Sequence, residues 1–137
     1  MMIFGIGTDI VRSVRIEEAL QKREGRFAEK ILGPEEFEAF QRRSEPHFSK
    51  AVRYLATRFA AKEALSKAMA TGFRKPLSWH GVQVLNSEAG RPMFVFGEEM
   101  KAWFGSQNLC AHVTISDEHE YAVAFVVIES QDAVCQK

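Results

Sequence analysis

The chain has 137 residues, the length of one domain, with 46% hydrophobic and 26% charged residues, the balance of a soluble globular protein with a core. Eighteen basic and eighteen acidic residues leave a formal net charge of zero, so bulk charge argues against a nucleic-acid or membrane partner. No segment reaches the roughly 18 apolar residues of a membrane span.

The opening Met1-Met2-Ile3-Phe4-Gly5 lacks the basic start and long apolar run of a signal peptide. Cys110 and Cys135 make neither a disulfide framework nor a zinc site, so a reducing cytoplasm is the expected compartment. Ile3 to Val11 reads as a first strand. Alternation puts Phe4, Ile6, Thr8 and Ile10 on one face, and Ile3, Gly5, Gly7, Asp9 and Val11 on the other. Asp9 thus shares a face with two glycines, which in a strand mark a close approach of a backbone or a ligand. Asp9 also suits the end of the strand or the cap of a following helix.

Helical patterns follow over Val14 to Lys22 and, after a break at Gly25, over Arg26 to Leu32. Gly33-Pro34-Glu35-Glu36 restarts a short helix, with Pro in its first turn and acids at its positive end. A long helix is predicted from Phe48 to about Ala70, since no Gly or Pro interrupts it before Gly72. Phe48, Val52, Leu55, Ala56 and Phe59 form its apolar stripe. Glu63 is next on that stripe, within about 20° of Val52 in projection. Lys67 lies one turn further on, Arg58 to one side and Lys62 on the edge. A carboxylate on a buried stripe needs a cation, a metal or a hydrogen-bond donor. On a solvated face, Glu63 would instead pair with Lys67 at i,i+4.

Thr71-Gly72 ends the helix, and Phe73 to His80 is a loop. Gly81 to Leu85 and Met93 to Phe96 form a hairpin, Glu98 to Phe104 a short helix, and Leu109 to Ser116 a strand. After the turn Asp117 to Glu120, Tyr121 to Ile128 is the most apolar strand and is expected to be central. Together these elements predict a single α+β domain over residues 1–129, a largely antiparallel sheet packed against the long helix, followed by a polar tail over 130–137.

No Walker A loop, dinucleotide fingerprint, G-x-S-x-G elbow or zinc-type histidine spacing is present. Two anomalous carboxylates remain, Asp9 and Glu63, beside a basic segment. From Arg42 to Lys67 there are seven Lys or Arg and two acids, seven minus two or +5, which suits an anionic ligand or partner. Mg²⁺ is commonly held by one or two carboxylates with phosphate oxygens completing its shell, so this set is compatible with a phosphate or pyrophosphate ligand. Spacing alone does not bring Asp9 and Glu63 together.

The segment Gly5-Ile6-Gly7-Thr8-Asp9, followed by Arg58-Phe59-Ala60-Ala61-Lys62-Glu63-Ala64-Leu65-Ser66-Lys67-Ala68 and Thr71-Gly72, resembles the small bacterial 4′-phosphopantetheinyl transferases, the holo-acyl-carrier-protein synthase branch. Arg26 to Leu32, Gly90-Arg91-Pro92, His112 to Asp117 and Tyr121 to Ala124 agree with it, so the resemblance runs from about Ile3 to Glu129. It implies transfer of the 4′-phosphopantetheine arm of coenzyme A to a serine of apo acyl carrier protein, with release of adenosine 3′,5′-bisphosphate. It also implies a Mg²⁺ requirement, a role in fatty acid biosynthesis and a homotrimer with active sites between subunits. On this resemblance Asp9 and Glu63 would hold the metal, and Lys67 and Arg58 would contact coenzyme A phosphates. Ser66, Gly72, Arg91, Pro92, His112 and Thr114 would be coenzyme A neighbours, and Arg15 and Arg26 would face the acidic carrier. A non-catalytic module binding coenzyme A or the carrier on the same scaffold is the alternative. Ala70 departs from the glycine expected before Thr71-Gly72, which leaves the path of that loop open.

Overall fold

A computed structural model of the protein describes residues 1–22 and 26–131. Five strands and five helices follow in the order β1 (Met2–Arg12), α1 (Ser13–Lys22), α2 (Arg26–Ile31), α3 (Pro34–Arg43), α4 (Phe48–Met69), β2 (Val82–Asn86), β3 (Pro92–Phe96), α5 (Glu98–Ser106), β4 (Leu109–Asp117) and β5 (Tyr121–Ser130). The fold is the α+β arrangement predicted, with each element within a residue or two of its expected bounds. Gly25 and most of the expected tail, Cys135 included, lie outside the described residues. The last strand continues through Ser130, and the Gln131 amide donates to the Asn108 carbonyl.

One antiparallel sheet has the order β1-β5-β4, and β2 with β3 forms a separate hairpin. The apolar strand β5 is central, paired on both sides along its length. Its inward residues Ala122, Ala124, Val126 and Ile128 are buried under α4, as is Val11 of β1. The opposite face of the sheet carries Ile6, Ile10 and Phe125, at 57%, 60% and 42% exposure.

α4 is buried around most of its circumference, which explains its many alanines: a bulky side chain has no room there. Its contact with β1 is closer than the expected apolar stripe would allow. A Cβ on Gly5 would lie 2.0 Å from the Ala68 carbonyl oxygen, and one on Gly7 2.1 Å from that of Ala64. The close approach marked by the two glycines is therefore to the backbone of α4. It is met by the i,i+4 row Ala60, Ala64 and Ala68, all buried. Phe48, expected at the head of the stripe, is instead 47% exposed.

Lys62 also departs from its expected place on the edge of the stripe. It is fully buried, and its ammonium donates to Glu36 Oε1 (2.7 Å) and to the carbonyls of Ile31 and Trp79 (2.8 Å each). Glu36 accepts in addition from the amides of Gly33 (2.9 Å) and Val84 (2.6 Å). All three Lys62 protons and both carboxylate oxygens are thus engaged, the condition under which a buried ion pair is tolerated. The pair fastens the α2–α3 junction, the loop after α4 and β2 to one helical turn. That helix ends as Ala70 adopts the left-handed conformation itself, at φ 62°, with its amide on the Lys67 carbonyl.

Candidate active site

Packing of the glycines of β1 on the alanine row of α4 determines what surrounds Asp9. Two residues beyond Gly7 on the same face, Asp9 comes alongside the flank of α4 that bears Glu63 and Lys67. The Lys67 ammonium donates to Asp9 Oδ1 at 3.1 Å and to the Thr8 carbonyl at 3.0 Å. Asp9 is largely enclosed while Lys67 remains half-exposed. The ion pair of Lys67 is therefore made across the strand–helix seam rather than along the helix.

The Glu63 carboxyl is held above the usual carboxylate range, first by partial burial and then by the negative charge of Asp9, with Lys67 opposing the rise. Asp9 and Glu63 are thus close enough to repel. Two mutually repelling carboxylates, one enclosed and one half-buried, form a donor set that a hard divalent cation would relieve. These residues fit a Mg²⁺ ion.

The basic segment resolves into distinct roles. Lys62 is consumed by Glu36, whereas Lys67 pairs with Asp9 but stays half-exposed. Arg43, Lys50, Arg53 and Arg58 converge with Tyr54, Thr57 and Asp117 on a cavity of about 290 Å³. Four cations minus one acid leave it at +3, and that acid is already paired to Arg53 at 2.9 Å. Arg58 is 6% exposed, with Nε donating to the Val84 carbonyl at 3.1 Å and a second nitrogen to Thr57 Oγ1 at 3.0 Å. It lies five residues from Glu63, about 140° around the helix. Arg58 and Glu63 therefore serve different faces of α4. Arg43, Lys50, Arg53 and Tyr54 were not legible individually. The signal was the charge run, which indicates an anion site without saying which side chains converge.

Arg91, Pro92, His112 and Thr114 come together in a cleft of about 390 Å³ between β3 and β4, with Met93, Phe94, Ala111 and Val113. His112 bonds Glu129 Oε1 at 3.0 Å. His112 and Thr114 are exposed on the outer face of the sheet, whereas Asp9 is on the inner face against α4. One chain does not bring these two groups together.

Ser66 is 4% exposed, and its hydroxyl donates to the Glu63 carbonyl at 2.7 Å. Gly72 is exposed at φ 63°, and its amide returns to the Ser66 carbonyl. Arg15 and Arg26 are both exposed, Arg15 on α1 and Arg26 at the start of α2.

Comparison with known proteins fits this geometry. Residues 5–126 match the profile of the 4′-phosphopantetheinyl transferase superfamily. A holo-(acyl-carrier-protein) synthase of Methylibium petroleiphilum is 49% identical over 131 residues, covering 96% of this chain and 99% of the relative. The crystal structure of the synthase from Neisseria meningitidis superposes with a TM-score of 0.86 at 40% identity, covering 94% of this chain and all of the other. The Bacillus anthracis synthase, solved in complex with coenzyme A (3′,5′-ADP), gives 0.79 at 37% identity, covering 96% of this chain and all of the other.

Proposed function

The chain belongs to the 4′-phosphopantetheinyl transferase superfamily, and we propose that it is a holo-acyl-carrier-protein synthase whose reaction is carried by Asp9, Glu63 and Lys67. It moves the 4′-phosphopantetheine arm of coenzyme A to a serine of apo acyl carrier protein and releases adenosine 3′,5′-bisphosphate. The observation that carries this reading is the seam at which Lys67 meets Asp9 beside a perturbed Glu63.

The serine oxygen forms a bond to the phosphorus that bears the arm, and the bridging P–O bond to the second phosphate breaks. Charge then develops on the non-bridging oxygens and on the departing phosphate. Asp9 and Glu63 hold Mg²⁺, which when bound neutralises part of that charge. Lys67, fixed by the Thr8 carbonyl and Asp9, presents its positive charge to the departing phosphate. Glu63, at the same seam, is the group we place to accept the serine proton.

The basic cavity around Arg58 supports binding of a second, unreactive phosphate of coenzyme A. The Arg91-Pro92 and His112-Thr114 cleft supports a contact with the rest of the nucleotide. The apolar outer face of Ile6, Ile10 and Phe125 supports self-association into a homotrimer. Such an assembly could unite groups that one chain keeps on opposite faces, placing active sites between subunits. Exposed Arg15 and Arg26 would steer an acidic carrier by charge. A cytoplasmic location and supply of holo carrier for fatty acid synthesis go with this reading.

The test is incubation with apo acyl carrier protein, coenzyme A and Mg²⁺. A gain of about 340 Da on the carrier, the mass of the arm, supports the proposal. Coenzyme A binding without a mass gain would instead make the chain a non-catalytic binding module.

A further inference from the structure

Tyr54 is 7% exposed, and its ring lies 4.4 Å from the Arg43 guanidinium carbon and 4.2 Å from that of Arg58. Two guanidinium groups gathered at one cavity repel each other, and burial increases the cost. The π-face of an aromatic ring is the one uncharged surface that attracts both. Among the described residues, Arg58 is additionally tied to Val84 and Thr57, whereas Arg43 has only a long 3.4 Å bond to the Ala39 carbonyl. The ring is therefore the main restraint on Arg43. The Thr57 hydroxyl that accepts from Arg58 is itself fixed, donating to the Tyr54 backbone carbonyl at 2.6 Å.

We propose that Tyr54 is a specificity-determining positioning residue: its ring holds the guanidinium groups of Arg43 and Arg58 together so that they recognise the unreactive phosphate monoester of coenzyme A. This rests on the transferase reading above. Coenzyme A carries a reacting pyrophosphate and a separate 3′-phosphate. The cavity lies on a different face of α4 from Glu63, so the phosphate it takes is not the one being attacked.

The test compares coenzyme A with 3′-dephospho-coenzyme A as donors to apo carrier protein, in wild type, Tyr54→Phe and Tyr54→Leu. Wild type should favour coenzyme A by about tenfold or more in kcat/KM. Tyr54→Phe, which keeps the ring, should retain that preference. Tyr54→Leu should lose most of it through a raised KM for coenzyme A, with kcat and the dephospho substrate changed by no more than about twofold. Full preference in Tyr54→Leu, or equal loss in both variants, overturns the role of the ring. A wild type that transfers from both donors equally overturns the assignment of the cavity. A wild type that transfers from neither overturns the transferase reading itself. Should Tyr54→Leu fail to fold, Arg43→Met keeps the ring and must lose the same preference; if it does not, the proposal fails.

Discussion

The ammonium of Lys67 lies 3.1 Å from Oδ1 of Asp9, a residue 58 positions away in the chain. Asp9 has a short side chain, so the strand must come close to the helix backbone for the Lys67 ammonium to meet it. Gly5, Gly7, Ala64 and Ala68 provide that approach, so the geometry of the site is determined by residues with almost no side chain.

Gly7→Ala should therefore be costly out of proportion to one methyl group. Its Cβ would meet the Ala64 carbonyl oxygen at 2.1 Å and the Ala68 amide nitrogen at 2.7 Å, and helix backbone cannot yield. A loss of about 3 kcal/mol, at the upper end for overpacking, is expected in denaturant unfolding. Transfer activity should fall in whatever remains folded.

The buried Glu36–Lys62 pair makes a second prediction. Lys62→Met alone should cost about 3–5 kcal/mol, because it leaves the Glu36 carboxylate charged and buried without its partner. The double variant Glu36→Leu with Lys62→Met should recover a large part of that loss. Equilibrium unfolding of the single and double variants measures the coupling.

Glu63 predicts a pH dependence whose sign is opposite to that of an ordinary salt-bridged acid. Its folded pKa is raised, so the native state binds a proton more readily than the unfolded chain. Its contribution to stability is thus unfavourable at neutral pH and vanishes below the unfolded carboxyl pKa. In a metal chelator, Glu63→Gln should be more stable than wild type at pH 7. The difference should shrink as the pH falls through the folded pKa towards the unfolded value, as thermal unfolding across pH would record. The same variant should lose transfer activity.

The outer sheet face is tested by charge. Phe125→Glu, on the central strand and 42% exposed, should leave the monomer folded, disrupt self-association in sedimentation experiments and reduce activity. Unchanged association would place the interface elsewhere.

Much of this architecture is legible in the sequence because strand alternation and helix length are local properties. The central position of β5 follows from its apolar content, and the shared face of Gly5, Gly7 and Asp9 from period two alone. What periodicity misses is which small residues meet. The Ala60, Ala64 and Ala68 row reads as mere helix propensity until its partner glycines are seen. Lys62 reads as a cation on the edge of the stripe because Glu36, which neutralises it, is 26 residues away. The Ser66 hydroxyl is likewise satisfied one turn back, on the Glu63 carbonyl, and pattern alone does not reveal that choice.

Lys67→Met should lower the transfer rate by about 10² to 10³-fold, the loss typical of a single group aimed at developing charge. Single-turnover measurements at saturating coenzyme A would separate this from weaker binding.

The central claim is that Asp9 and Glu63 share one divalent cation. It is tested most directly by titrating Mg²⁺ into the carrier-modification assay for wild type, Asp9→Asn and Glu63→Gln, with the carrier mass as readout. Wild type should be inactive in chelator and recover with Mg²⁺, while each variant should need at least about tenfold more metal or fail to recover. Full wild-type transfer in chelator, or an unchanged metal requirement in both variants, would contradict it.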